Sequence, residues 1–157
     1  MPSPPNAGPS ADDRLRPLTP EGIKRFKAHV RGLAALGVAF DLVLTSPLTR
    51  AEETAAILAA GYTPSPQVET LVALAPGGRF AALVEAVTRH ARRSRRIALV
   101  GHEPDLGEHA GRWLGARGTI EFKKGAVCAI DLPGATLGGP GTLRWLLSPR
   151  VLRRLAP

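Results

Sequence analysis

Val43-Leu44-Thr45-Ser46-Pro47-Leu48-Thr49-Arg50 and Ala98-Leu99-Val100-Gly101-His102-Glu103-Pro104 decide how this chain is read. Each is a short apolar run that stops at a polar turn and then passes into a helical pattern. Runs of this kind are buried strands of a parallel sheet, covered by helices on both faces. In such sheets ligands sit outside the carboxyl ends of the strands, where the winding reverses. Arg50 and His102 would both lie there. A guanidinium fork matches a tetrahedral oxyanion through paired, charge-assisted hydrogen bonds, and an imidazole beside it adds a second polar contact. Ser46 opens the helix that carries Arg50, and the unpaired N–H groups of that first turn favour an anion before any side chain contributes. The pattern predicts phosphate chemistry at Arg50, His102 and Ser46.

Outward from these runs, the chain alternates helices and strands. Thr19-Pro20-Glu21 reads as a helix start: a capping hydroxyl, a proline at the first helical position and a carboxylate at the positive dipole end. Ile23, Phe26, Val30, Leu33 and Leu36 keep an apolar face at helical spacing until Gly37. The run over 40–45 reads as a strand, 48–60 as a helix closed by Gly61, and 68–74 as a short strand. A helix follows over 79–93, a strand over 96–100 and a helix over 104–114. Strands are predicted over 119–122, 126–132 and 142–147, an antiparallel meander, before a short helix over 149–155. Residues 1–13, rich in Pro, Ser, Ala and Gly without hydrophobic period, read as a disordered segment ahead of one domain over 14–157. The fold class is α/β, a three-layer sandwich with a mostly parallel mixed sheet.

The bulk numbers fit a single core: 157 residues, 44% of them hydrophobic, with no apolar run approaching the roughly 20 residues that span a bilayer. The N-terminus carries no basic and apolar pattern of a secretory signal, so a cytoplasmic setting is expected. One cysteine, Cys128, excludes an internal disulfide and a multi-cysteine metal site. The net charge of +8 favours acidic partners. Much of it is local, in the stretch from Arg89 to Arg96 and from Arg150 to Arg154. Nucleic acid is disfavoured as the partner, because exposed aromatics or a recognisable module usually accompany such runs and aromatics are only 4% here. Among the other histidines, His29 is expected to be exposed and His109 to be a structural or surface residue. His90, in Arg89-His90-Ala91, lies inside a helix rather than at a strand end.

Taken in order, Arg16-Pro17-Leu18-Thr19-Pro20-Glu21-Gly22, then Thr45-Ser46-Pro47-Leu48-Thr49-Arg50-Ala51, then Val100-Gly101-His102-Glu103-Pro104-Asp105-Leu106 resemble the histidine phosphatase superfamily, in its branch of small SixA-like phosphohistidine phosphatases. The ending from Leu143 to Arg150 is in keeping with that branch. The resemblance implies a phosphoglycerate mutase-like sandwich in which arginines and two histidines hold phosphate, with no metal or organic cofactor. It makes Arg50 the downstream phosphate-binding arginine and His102 the second histidine, both catalytic. The first histidine, the phosphoryl acceptor, belongs to an Arg-His-Gly tripeptide after a first strand just upstream of Arg16. No such tripeptide occurs in the 157 residues, and the prolines over 2–9 cannot serve a central strand. That first strand and its nucleophile are therefore absent from the sequence as read.

Three readings follow. The first is a phosphatase acting on a phosphohistidine protein or a small phosphoester, whose natural start lies upstream of Met1. The second is a phosphate-binding or regulatory module without catalysis. The third, weaker, is a basic surface over 89–96 that docks nucleic acid. A general acid for a phosphoester leaving group would come from Glu69, Glu103 or Asp105. The lack of an obvious one leans towards phosphohistidine, whose imidazole leaves more readily than an alkoxide.

Overall fold

The computed structural model describes residues 11–135 and 137–157. In chain order the elements are α1 (Ala11–Leu15), α2 (Pro20–Ala35), β1 (Leu42–Thr45), α3 (Thr49–Ala60), β2 (Gln67–Thr70), a 3-10 turn (Val72–Leu74), α4 (Phe80–His90), β3 (Ile97–Val100), α5 (Asp105–Trp113), β4 (Val127–Asp131), β5 (Thr142–Leu147) and α6 (Pro149–Leu155). The first ten residues of the expected disordered segment lie outside the described ones. α1 begins inside that segment, so an ordered helix stands where the sequence offered no periodicity.

β1 is the centre of a parallel sheet of order β2-β1-β3, with Leu42 opposite both Gln67 and Ile97 and Thr45 opposite both Thr70 and Val100. Because successive side chains point to opposite faces, β1 feeds two cores. Val43 packs with Val30 and Leu33 of α2, Ala55 and Leu58 of α3 and Leu152 of α6. Leu42 and Leu44 pack with Leu74, with Leu83 and Val87 of α4 and with Trp113 of α5. Helices therefore cover both faces, and the three-layer α/β/α sandwich read from the sequence is the one observed. No helix among the described residues is long and apolar enough to cross a membrane.

Local chemistry accounts for the boundaries. Thr19 Oγ1 accepts from the Gly22 N–H at 3.0 Å, closing the predicted cap of α2. After α2 the backbone enters the left-handed region at Gly37 (φ +77°), which favours glycine. Gly32 lets α6 approach α2, since a Cβ there would run into the Leu152 carbonyl.

Three expectations need correction. The strand predicted over 68–74 ends at Thr70; the chain then turns, and Leu74 drops into the core from the 3-10 turn. Residues 119–122 form no strand. Ile120 donates to the Gly107 carbonyl at 3.0 Å, and Gly107 and Gly111 lack the Cβ that would hold off the Ile120 and Gly118 carbonyls. The segment is pinned against α5 rather than paired in a ladder. The meander thus reduces to one antiparallel hairpin, β4-β5, with a bulge at Ala129/Ile130 and an Asp131–Arg144 ion pair.

That hairpin is a second sheet, and among the described residues no ladder joins it to β3. Yet both strands feed the same two cores: Ala98, Val100 and Val127 on one face, Ile97, Leu99 and Ile130 on the other. β3 and β4 thus present apolar side chains to the same layers, and among the described residues each has a ladder on one edge alone. β1 is buried at every position, whereas Ile97–Val100 and Val127–Ile130 are only half-buried.

Candidate active site

The ladder sets the floor of the site. The Ser46 N–H donates to the Val100 carbonyl at 2.9 Å, carrying the β1–β3 register one residue past the strand ends. Two residues beyond Val100, His102 turns back, and its Nε2 lies 2.7 Å from Ser46 Oγ. Ser46 is fully buried, and its Oγ also accepts from the Leu48 N–H at 3.2 Å. The hydroxyl therefore positions the start of α3 and the imidazole together. The imidazole's partner is thus this hydroxyl and not either of the carboxylates nearest it in sequence, Glu103 and Asp105.

Arg50 stands in the first turn of α3. Its alternative surface partners, Glu52 and Glu53, do not hold it. Glu53 accepts instead from the Leu18 N–H at 3.0 Å. Arg50 Nη1 donates to the Asp13 backbone carbonyl at 2.9 Å, and Nη2 reaches the Asp13 carboxylate at 3.4 Å. Arg50 and His102 line one cleft of about 430 Å³, and Asp13, Gly77, Glu103 and Asp105 contribute to its walls. The arginine and the histidine picked from the sequence are thus brought to one concavity, with Ser46 buried beneath them.

The electrostatics of the cleft are mixed. Burial, then the Arg50 charge, lowers the His102 pKa below its ordinary value; Asp105 and Asp13 pull it back only in part. A neutral imidazole can accept from the Ser46 hydroxyl. Burial pushes the Glu103 carboxyl up, opposed by the Gly107 and Phe122 N–H groups. Glu103 Oε1 accepts from Gly107 N–H at 2.9 Å, and Asp105 Oδ2 from Gly77 N–H at 2.7 Å. Both carboxyls brace the walls as acceptors. Glu69, the third candidate acid, faces elsewhere and sits 3.5 Å from His90.

The remaining histidines lie outside the cleft's lining. His109 is buried and stacked on Phe80, in a structural role. His90 ends α4 beside Glu69. His29 is not exposed, contrary to expectation: it is 4% accessible, packed edge-on to Phe26, with Nε2 3.1 Å from Arg153 Nη1. The neighbouring Lys27 and Arg31 suggested a solvated face, but Val30 and His29 share the buried side of α2 with Gly32 and Leu33. Asp13 was missed, having been placed in a segment read as disordered; a lone carboxylate in polar sequence carries no signal of a partner 37 residues away.

Comparison with known proteins bears on the fold that carries this cleft. Residues 16–76 match the histidine phosphatase superfamily (branch 1). The protein histidine phosphatase SixA, in a structure complexed with tungstate, superposes with a TM-score of 0.79 over 91% of this chain and 90% of that one, at 23% identity. A putative phosphohistidine phosphatase SixA from Agrobacterium tumefaciens superposes with a TM-score of 0.71 over 90% of this chain and 89% of that one, at 17% identity. The phosphohistidine phosphatase SixA of Escherichia coli is 27% identical over 147 residues, 92% of this chain and 88% of that protein. An uncharacterized protein of Picosynechococcus sp. is 46% identical over 102 residues, which are 64% of this chain and span 61% of that relative. The fold is that of SixA.

Proposed function

We propose that the cleft binds the phosphoryl group of a phosphohistidine protein, or of a small phosphoester, as SixA-type phosphatases do, in a cytoplasmic setting. The observation that carries this reading is the convergence of Arg50 and His102 on one cleft from the ends of adjacent strands. In it the guanidinium and the first-turn N–H groups of α3 neutralise the phosphoryl oxygens. Ser46 holds His102 at the rim of the anion, where it can share or donate a proton as charge moves between oxygens. Glu103 and Asp105 are occupied as acceptors, so neither is set to protonate an alkoxide. That favours a substrate whose leaving group is an imidazole, which needs less help. Transfer in line to an imidazole would also need an acceptor, and the only imidazole among the described residues that line the cleft, His102, is held by Ser46.

The chain's lack of an Arg-His-Gly tripeptide favours a second reading, a phosphate-binding module without turnover. Titration with inorganic phosphate and tungstate, followed by calorimetry, tests the site itself. The wild-type chain is expected to bind saturably. Arg50→Gln, which removes charge-assisted hydrogen bonds of about 1.5–3 kcal/mol, is expected to weaken binding roughly 10- to 150-fold. Unchanged affinity in both Arg50→Gln and His102→Asn would overturn the site. Release of phosphate from a phosphohistidine protein by this same chain would remove the second reading.

A further inference from the structure

The contact between α1 and the cleft concerns more than packing. Asp13 touches Arg50 twice, and the two contacts differ in kind. The backbone carbonyl takes Nη1 at 2.9 Å, a firm bond that ties α1 to the first turn of α3. The carboxylate reaches Nη2 at 3.4 Å, a long contact inside the cleft that a dianion would share. The same carboxylate has a second cation within reach: its Oδ1 lies 3.3 Å from Arg16 Nη2, on the outer side, where Arg16 is largely exposed. One negative side chain is thus suspended between the guanidinium that lines the cleft and one that faces solvent.

We infer that Asp13 is an internal competitor for the anion site, a carboxylate on α1 that occupies Arg50 until a phosphoryl group displaces it onto Arg16. This rests on the proposed phosphate-binding role of the cleft and adds its regulation. An entering phosphate takes Nη2 of Arg50 in place of Asp13 Oδ2. Nη1 stays on the Asp13 carbonyl, so α1 remains in place while its side chain swings outward. No covalent step is involved. The carboxylate sets a threshold: weak or singly charged anions do not dislodge it, and a doubly charged phosphoryl group with several acceptor oxygens does. A tie that served only to hold α1 would be complete with the carbonyl bond alone.

The test is Asp13→Asn, which keeps the shape and an acceptor oxygen while removing the charge. Removing a like charge a few ångströms from a partly solvated anion is expected to tighten inorganic phosphate about three- to tenfold at low salt, with the gain shrinking at high salt. Asp13→Ala is expected to show the same gain, and thermal melting of each variant reports on folding separately. If wild type binds phosphate and both variants bind it equally or more weakly, Asp13 positions Arg50 and the competitor reading is overturned, while the phosphate site stands. If neither wild type nor variants bind phosphate, the site itself falls, and the competitor with it.

Discussion

Burial of His29 makes a quantitative prediction about acid stability. Its ring is 4% accessible, and its Nε2 faces the Arg153 guanidinium at 3.1 Å. Since guanidinium only donates, Nε2 accepts, and the ring proton sits on Nδ1, which has no hydrogen-bond partner among the described residues. Protonating this ring would place a second cation against Arg153 in a desolvated site. Burial first, then Arg153 and Arg25, therefore lower the His29 pKa from 6.5 to about 4. In the unfolded chain the ring binds a proton near pH 6.5; in the fold it does not until about pH 4. The unfolded state thus holds more protons through that window, and stability falls as pH drops from 6.5 towards 4. The contribution is fully present above pH 6.5. At about 1.36 kcal/mol per pH unit, the loss across the window approaches 3 kcal/mol, a large share of the roughly 5–15 kcal/mol of a typical domain. Urea unfolding at steps between pH 7 and 4, followed by circular dichroism, measures it. His102 and His109 also titrate low, so the quantity to read is the difference between wild type and His29→Gln. The variant, whose amide oxygen can still accept from Arg153, is expected to lose that much less stability over the window. Parallel curves for the two proteins would refute the argument.

Two further outcomes follow from the geometry. Gly32→Ala pushes a methyl group into the Leu152 backbone carbonyl; because backbone cannot rotate away, α2 and α6 must part, at a cost of about 1–3 kcal/mol in urea unfolding, with the cleft's phosphate affinity unchanged. Ser46→Ala removes a fully buried hydroxyl that serves both the Leu48 N–H and His102. It is expected to lower stability by about 1–3 kcal/mol and to weaken phosphate binding, whereas a purely structural hydroxyl would change only the first.

The sandwich was legible because its strongest signals are local. β1 and β3 are unbroken apolar runs, and α2 carries its cap, proline and periodic face within a few residues of one another. That Arg50 and His102 meet in one cleft could be expected because the carboxyl ends of neighbouring parallel strands open on the same side of the sheet. What escaped depends on contacts between distant segments. Residues 119–122 have the composition of a strand, and only the two glycines of α5 decide that their hydrogen bonds go to a helix. His29 sits between lysine and arginine in sequence, yet the arrival of Arg153 and Gly125 from elsewhere buries it. Asp13 lay in a stretch with no hydrophobic pattern at all, and its role comes from a partner on another helix. The edges of β3 and β4 tell a similar story: their apolar content marks them as interior, but which edge meets which neighbour is not written in either strand.

The bond from Ser46 to the Val100 carbonyl has one more implication. The ladder fixes where α3 starts and where His102 stands, while the Arg50 guanidinium is held from the other side by the Asp13 carbonyl of α1. In the proposed anion site, retuning towards a bulkier or differently charged molecule would come from the outer walls, α1 and the turn at Gly77, which lie off the β1–β3 ladder. On the proposed function, discrimination between molecules carrying the same phosphoryl group would then be a property of the periphery, and swapping those two short segments between related proteins is expected to carry preference with them.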